Sequence, residues 1–510
     1  MFACVNTIAL SGIDGYLVKV EASITPSLPS FEIVGLPDTS VREAKERVLS
    51  AIKNVGFDLP DGKVTVNLSP ANTKKEGAVF DLPIAIAVLL AMGKIEKTDI
   101  NDFAFTGELS LSGDISTICG VLPIAISAKS LNIKNLIVPT ENAQEASIVE
   151  GINIIPANNI ISVLKHITKQ KLIKFATPSD FSFKNNSTYD IDFCDVKGQN
   201  TAKRAMEIAA AGNHNLLLIG TPGSGKTMLS KRLPTILPDL TFEESLEITK
   251  IYSICGLLSK SDSLITKRPF RSPHHTVSNV SLVGGGKNPH PGEISLAHNG
   301  VLFLDELPEF QKNALEVLRQ PLEDNLVTIS RANGTHTYPA KFMLVASMNP
   351  CPCGYYGSTN HTCNCPPNKI QNYLNKISGP LLDRIDIHVE VSDTKYSDLN
   401  SIEKSDSSET IRKRVNAARE IQNERYKSQN IFSNSELTPK LLEKFCKLDS
   451  LSQQLLENVF NKLKLSARAY SRILKVSRTI ADLAGEEDIK TEHIAEAIQY
   501  RNLDRRYFGK

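Results

Sequence analysis

Apolar and polar positions alternate at the start of the chain. Ile8 to Leu10, Tyr16 to Glu21 and Lys63 to Leu68 read as strands, and Arg42 to Val55, Leu82 to Met92 and Glu141 to Glu150 read as helices. That mixture predicts an α/β segment. Further on, the apolar run Leu216-Leu217-Leu218-Ile219 enters a glycine-rich loop and then a helix beginning near Met228, and a second apolar strand, Val301 to Leu304, ends in two acids. This is the order of a nucleotide-binding α/β core with a parallel sheet. From Glu409 onward Pro occurs only at Pro439 and Gly only at Gly485 and Gly509, while apolar residues keep a helical spacing, which predicts an all-helical bundle. Polar stretches at Thr177 to Thr188 and Ser392 to Ser408 mark the boundaries. The expected division is 1–176, a linker 177–190, a core 191–395, a linker 396–408 and a helical piece 409–510.

Composition narrows the class without naming a partner. At roughly 100 to 200 residues per domain, 510 residues predict about three domains. Hydrophobic residues at 41% and charged residues at 22% suit a chain with large buried cores. Lys and Arg number 58 against 56 Asp and Glu, so any basic site for nucleic acid must be local. The apolar run Leu82 to Met92 is shorter than the roughly 20 residues of a membrane helix and contains Pro83. The first residues lack the pattern of a signal peptide, and nine cysteines, five scattered singly, do not resemble a disulfide framework. A cytoplasmic protein without membrane contact is the expectation.

The strongest chemical signal is Gly220-Thr221-Pro222-Gly223-Ser224-Gly225-Lys226-Thr227, which fits G-x-x-x-x-G-K-[ST] between a strand and a helix. Its backbone N–H groups and the start of the helix suit phosphate oxygens, Lys226 adds a full positive charge, and Thr227 suits Mg²⁺. Val301-Leu302-Phe303-Leu304-Asp305-Glu306 supplies one acid for the metal and another to orient or deprotonate water. A third strand, Phe342 to Ser347, leads to Asn349, which suits the same water or the γ-phosphate. ATP and Mg²⁺ are the cofactors these residues imply.

The succession of P-loop, LFLDE, Met348-Asn349-Pro350 and Gly379-Pro380-Leu381-Leu382-Asp383-Arg384 resembles the magnesium-chelatase-related branch of AAA+ ATPases, and within it the ComM/YifB family. The resemblance includes Arg271-Ser272-Pro273-His274-His275 and Pro291 to His298 and spans nearly the whole chain. It implies an AAA+ core under a C-terminal helical lid. By that pattern Arg384 resembles an arginine finger supplied to a neighbour's γ-phosphate, Arg468 resembles the sensor-2 arginine of the lid, and Asp195 to Gln199 resembles the segment bordering adenine. A finger acting in trans implies a ring, and the resemblance implies that the ring is a homo-hexamer. On the residues alone, Arg384 also suits an ion pair with Asp383 or Asp386, and Arg468, Arg472, Lys475 and Arg478 also suit a solvated basic face.

The N-terminal segment resembles the Lon protease fold. Lys75 to Pro83 sits where that family has its nucleophile loop, and Thr106-Gly107-Glu108-Leu109-Ser110-Leu111-Ser112-Gly113 matches its second motif. The nucleophile and base positions hold Val79 and, by ungapped counting, Leu122, so that dyad is not expected to cleave peptides. A binding or ring-forming platform is the expected role.

Cys351, Cys353, Cys363 and Cys365 flank a short loop and suit one tetrahedral Zn²⁺, or else remain thiols. A bound ion would brace the loop that follows Asn349. Thr328 to Thr337 reads as a β-hairpin turning at Asn333-Gly334 with Arg331 near its tip, and Ser278 to Pro291 carries Gly284-Gly285-Gly286-Lys287. Arg331 and Lys287 are the expected DNA contacts, with ordinary surface loops as the alternative. The resemblance implies a hexameric ATP-driven DNA motor for branch migration of recombination intermediates in natural transformation. The alternatives are an ATPase remodelling a protein or metal-insertion partner, as in magnesium chelatase or MoxR proteins, and a nucleotide-gated scaffold.

Overall fold

The computed structural model describes residues 1–95, 100–177, 189–259, 263–286, 289–331, 334–358, 360–393, 405–429, 431–463, 466–501, 503 and 507. Lys287, the hairpin tip at Ala332 and Asn333, and most of both expected linkers lie outside them.

Seven strands form the first sheet: β1 (Phe2–Ser11), β2 (Asp14–Thr25), β3 (Ser30–Val34), β4 (Lys63–Ser69), β5 (Phe103–Phe105), β6 (Asn135–Pro139) and β7 (Asn153–Ala157). Their spatial order is β3-β4-β2-β1-β5-β6-β7, antiparallel through β4-β2-β1 and parallel elsewhere. Strict alternation of buried and half-buried residues along β4 shows why it lies flat on a core. Helix α1 (Thr39–Asn54) is capped by Asp38, whose carboxylate accepts from the Val41 N–H at 2.8 Å, and it buries Val41, Ala44, Val48 and Ala51 along one stripe. Helix α2 (Asp81–Ala91) is apolar almost all round and runs through the centre of this unit, as its sequence predicts. Helix α3 (Val121–Ser130) covers the other face. The expected helix Glu141 to Glu150 is shortened to Ala143–Ala146 after a 3₁₀ turn, Thr140–Asn142. The Ser147 hydroxyl bonds back to the Gln144 carbonyl at 2.9 Å, and Ile148 and Val149 turn into the core.

The second sheet is parallel. It contains β8 (Leu216–Gly220), β9 (Phe270–Arg271), β10 (Val301–Leu304), β13 (Met343–Met348) and β14 (Ile387–Val391), ordered β9-β10-β13-β8-β14. A separate hairpin, β11 (Leu326–Arg331) and β12 (Gly334–Pro339), precedes β13. Every residue of β8, β10 and β13 is buried, the signature of a sheet covered on both faces. One face packs on α4 (Asn200–Gly212) and on the C-terminal helices α7 (Ser408–Tyr426), α8 (Ala467–Leu483) and α9 (Thr491–Gln499). Between α4 and α7 lies α5 (Lys226–Arg232), directly after the glycine loop, and then α6 (Phe242–Ile254). The Gly120 N–H donates to the Ser253 carbonyl at 3.1 Å, and the Ser253 hydroxyl donates to the half-buried Glu145 carboxylate, so α6 ties the two sheets together. Among the described residues no helix is long and apolar enough to cross a membrane.

Candidate nucleotide site

The carboxyl ends of β8, β10 and β13 lie side by side, so residues distant in sequence meet there. Gly223 and Gly225 take φ values of +78° and +92°, which let the loop curl back over itself without the strain a Cβ would bring. Lys226 is buried, and its ammonium donates to the Gly220 and Thr221 carbonyls, both at 2.8 Å, and to Asn349 Oδ1 at 3.1 Å. Burial pulls its pKa below the ordinary lysine value, against the pull of Asp305 and Glu306. Its hydrogen bonds go to carbonyls and an amide oxygen, acceptors that a phosphate oxygen can replace.

Thr227 Oγ1 donates to Asp305 Oδ2 at 2.8 Å, and the Ser347 hydroxyl donates to the other carboxylate oxygen. Ser347 stands two residues before Asn349, so the period-two rule for a strand turns both toward the same edge. Serine in a strand carries no motif, so the role of Ser347 is not legible in the sequence. Glu306 adopts a left-handed backbone, φ +54°, which swings its half-exposed carboxylate outward. There His275 Nδ1 lies 3.5 Å from Glu306 Oε2, and the His275 ring lies tilted against His274 with centroids 4.0 Å apart. A cleft of about 350 Å³ opens between Gly223, Lys226, Thr227, Asp305, Glu306 and Asn349.

A second cavity of about 610 Å³ adjoins the loop at Gly220 and Thr221 and is walled by Thr201, Tyr356, Ser358 and Asp393. Thr221 donates to Asp393, and Gln199 donates to the Ser392 and Ser224 carbonyls at 2.6 and 3.4 Å. Asp195 pairs with Arg232 at 3.0 Å. The segment Asp195 to Gln199 thus lies beside the glycine loop.

Arg384 and Arg468 line neither cavity. Arg384 is 5% exposed, donates to the Pro380 carbonyl at 2.6 Å and pairs with Glu323, while Arg468 lies 3.9 Å from the same Glu323. Burial depresses the Arg384 pKa, Glu323 opposes that, and Arg468, Arg319 and Arg472 reinforce it. Arg384 pairs with Glu323, and Asp386 pairs with Arg472. The basic-face reading of α8 fails at three of its four positions. Arg472 is bound to Asp386, Lys475 donates to the Ser435 carbonyl at 2.6 Å, and Arg478 is buried against Asp482 at 3.0 Å. Arg468 alone of the four is open, at 60% side-chain exposure. Glu323 and Asp386, opposite Arg468 and Arg472, are far away in sequence, so charge patterning on one helix could not reveal them, whereas Asp482 is the i+4 partner of Arg478 on the same helix.

The four clustered cysteines converge, with their sulfurs within 4.8 Å of one another. Arg331 ends β11 opposite Gly334, and its guanidinium lies against Gly285. His336 on β12 lies against Gly12 in the turn between β1 and β2, so the hairpin reaches the first sheet. Val79 and Leu122 fall in one apolar cluster.

Comparison with known proteins agrees with this geometry. A family model described as "Magnesium chelatase, subunit ChlI" matches residues 192–399, "Subunit ChlI of Mg-chelatase" matches 20–142, and "Magnesium chelatase, subunit ChlI C-terminal" matches 405–501. Competence protein ComM of Haemophilus influenzae is 44% identical over 508 residues, 99% of this chain and 98% of that one. The chain belongs to the ComM/YifB family. YifB of Escherichia coli is 43% identical over 502 residues, 98% of this chain and 97% of its own. Lon protease 2 of Bacillus subtilis is 29% identical over 181 residues, 32% of each chain, a likeness that falls in the N-terminal region. The core around the glycine loop is therefore a magnesium-chelatase-like AAA+ module, a family of ATPases that use ATP and Mg²⁺, and the first sheet is Lon-like.

Proposed function

We propose that this chain is an ATP-hydrolysing motor that assembles as a homo-hexamer around DNA in the cytoplasm and drives branch migration of recombination intermediates. The observation that carries the reading is kinship over 99% of the chain with a competence protein, combined with a fully equipped cleft at Lys226. In this reading the loop from Gly220 to Thr227 holds the triphosphate, with Lys226 exchanging its carbonyl partners for phosphate oxygens. Thr227 and Asp305 would hold Mg²⁺, which neutralises phosphate charge. Glu306 orients and deprotonates the attacking water, and Asn349 fixes that water or the γ-phosphate.

Arg384 and Arg468 both reach Glu323 and stand away from their own cleft, so we read them as a pair offered to the neighbouring subunit's nucleotide. Arg331 supplies a local cation on the hairpin, and Lys287 is retained as a proposed contact from sequence. Zn²⁺ is the third cofactor, at the four cysteines. The Lon-like unit serves as a platform without peptide hydrolysis. The domain division given by the sequence stands as part of this proposal. A motor remodelling a protein partner is the second reading, favoured by the magnesium-chelatase models that match most of the chain.

The test is steady-state ATP hydrolysis with branched DNA, linear duplex or unfolded protein added. Stimulation by branched DNA is expected. Stimulation by protein alone would replace the first reading with the second.

A further inference from the structure

The thiol cluster sits where it can control nucleotide binding. Cys351 lies 3.3 Å from Cys353 and 3.7 Å from Cys363, sulfur to sulfur, and Cys353 lies 3.6 Å from Cys363. Those separations are too long for a disulfide, whose sulfurs are about 2.05 Å apart. They are close to the edge of a tetrahedron whose centre lies about 2.3 Å from each sulfur, which is about 3.8 Å. The backbone N–H of Tyr356 donates to Cys351 Sγ at 3.3 Å, the kind of contact that steadies a thiolate ligand. The nearby His361 is engaged elsewhere, its ring 4.7 Å from the Tyr355 ring. The donor set therefore fits one zinc ion held by sulfur alone.

Three contacts join this knuckle to the nucleotide cleft. Gly354, directly after Cys353, takes φ +87°, and a Cβ there would lie 2.5 Å from Pro222 Cδ and 2.6 Å from its Cγ, so the knuckle rests on the glycine loop with no room for a side chain. Asn349, two residues before Cys351, accepts from the Lys226 ammonium at 3.1 Å. Ser358, between the two cysteine pairs, donates to Asp393 at 3.1 Å, and Asp393 accepts from Thr221 through its other oxygen. Tyr356 and Ser358 also wall the cavity beside Thr221. Among its described residues the stretch from Cys351 to Cys365 contains no helix or strand, so its shape depends on whatever cross-links its two ends.

We infer that the four cysteines hold one zinc ion whose role is to fix the wall of the nucleotide pocket, so that metal occupancy sets nucleotide affinity. The inference rests on the zinc reading above. Without the ion, Gly354 is no longer pressed onto Pro222, and Asp393 loses Ser358 as a fixed neighbour. The glycine loop then has more conformations to lose when a triphosphate binds.

The test uses the full-length chain and a fluorescent ATP analogue, with metal content measured on the same samples. Wild type should carry about one zinc per chain. A Cys363→Ser, Cys365→Ser double variant should lose the zinc and bind the analogue about tenfold more weakly, a loss of about 1.4 kcal/mol. Gly354→Ala should keep the zinc and weaken the analogue similarly, because it pushes the loop from Pro222 while leaving every sulfur in place. That variant keeps the test decisive if the cysteine variant folds poorly. A wild-type chain without stoichiometric metal overturns the zinc reading and the inference with it. Stoichiometric metal with unchanged nucleotide affinity in both variants overturns the inference alone. Loss of DNA binding in the zinc-free chain with nucleotide affinity unchanged also overturns it, and moves the ion's role to the DNA-facing surface.

Discussion

The first and second sheets of this chain each present a loop followed by a helix where related folds keep their chemistry. In the second sheet, the loop after β8 brings Lys226 and Thr227 against Asp305, Ser347 and Asn349, so a cation, a carboxylate and three further polar groups face one cleft. In the first sheet, Val79 and Leu122, which the resemblance sets by ungapped counting at the nucleophile and base positions, pack into one hydrophobic cluster. The frame around that cluster is intact. Asp81 at the head of α2 has a fully buried side chain and forms a bidentate pair with Arg47 at 2.6 and 3.0 Å, and Lys75 is buried with its ammonium on the Pro70 and Thr73 carbonyls. A fold can persist on its packing and its buried ion pairs after the residues that would do chemistry have gone.

The comparison would break most visibly at the ring interface. Arg384→Ala should leave nucleotide binding nearly intact and reduce hydrolysis by about 10³- to 10⁵-fold, the contribution of fingers acting in trans in related phosphoryl transfer. Lys226→Ala should lose binding and hydrolysis together. Mixing the two variants should restore part of the activity, because an intact loop then meets an intact finger between unlike subunits. If subunits exchange and no hydrolysis returns, Arg384 acts within its own chain.

How far these two regions could be read in advance follows from how each is encoded. The glycine loop, Asp305-Glu306 and Asn349 were legible because each is a strand end followed by a turn, a local event written in consecutive residues. Their convergence followed from the parallel sheet. The cysteine pairs were legible for the same reason. Glu323 under Arg384 and Arg468, His275 beside Glu306, and Asp393 between Thr221 and Ser358 were not, since each joins segments tens of residues apart whose spacing carries no period. The burial of Arg472 and Lys475 was hidden by the same limit, because Asp386 and the Ser435 carbonyl lie on other segments, whereas Asp482 stands at helical spacing from Arg478.

A smaller effect should come from the frame of the first sheet. Among the described residues, Arg47→Ala leaves the buried Asp81 carboxylate with the Leu109 N–H, at 3.2 Å, as its remaining donor. Breaking such a pair costs about 3–5 kcal/mol. The paired change with Asp81→Asn should recover much of it, since no buried charge is then left alone. Denaturant unfolding of the three variants checks this, and equal stability of Arg47→Ala and wild type would show that the pair does not hold the frame.

The second sheet has its own pH signature. His214 is fully buried between β8 and α8, its Nε2 2.7 Å from Thr479 Oγ1, and burial lowers its pKa despite the nearby Asp386. The unfolded chain binds a proton at this histidine as pH falls through about 6.5, while the folded chain resists it. Stability from this group is therefore complete above about pH 6.5 and is lost as pH falls, by up to about 1.4 kcal/mol per pH unit. His166 and His493 are depressed in the same direction and add to the slope. Urea unfolding between pH 7.5 and 5.5 should show one proton's share of the slope removed in His214→Gln. An unchanged slope would mean that His214 titrates alike in both states.

The smallest expected effect lies at the loop of the Lon-like sheet that carries Val79. Val79→Ser restores a hydroxyl at the position the pattern assigns to a nucleophile, on a side chain that is only partly buried. Removing its two methyl groups should destabilise the chain by about 1 kcal/mol. Hydrolysis of unfolded substrates should still be absent. A serine needs a neighbouring base to become a nucleophile, and Leu122 offers an aliphatic chain buried in the same cluster. Lys75 does not replace that base, because its ammonium is already taken up by two backbone carbonyls. ATP hydrolysis should stay at the wild-type rate, since the change lies in the other sheet. A serine-directed covalent probe that labels the variant at position 79 and spares wild type would show that a base is within reach, and the loop would then have to be counted as a site with one residue missing.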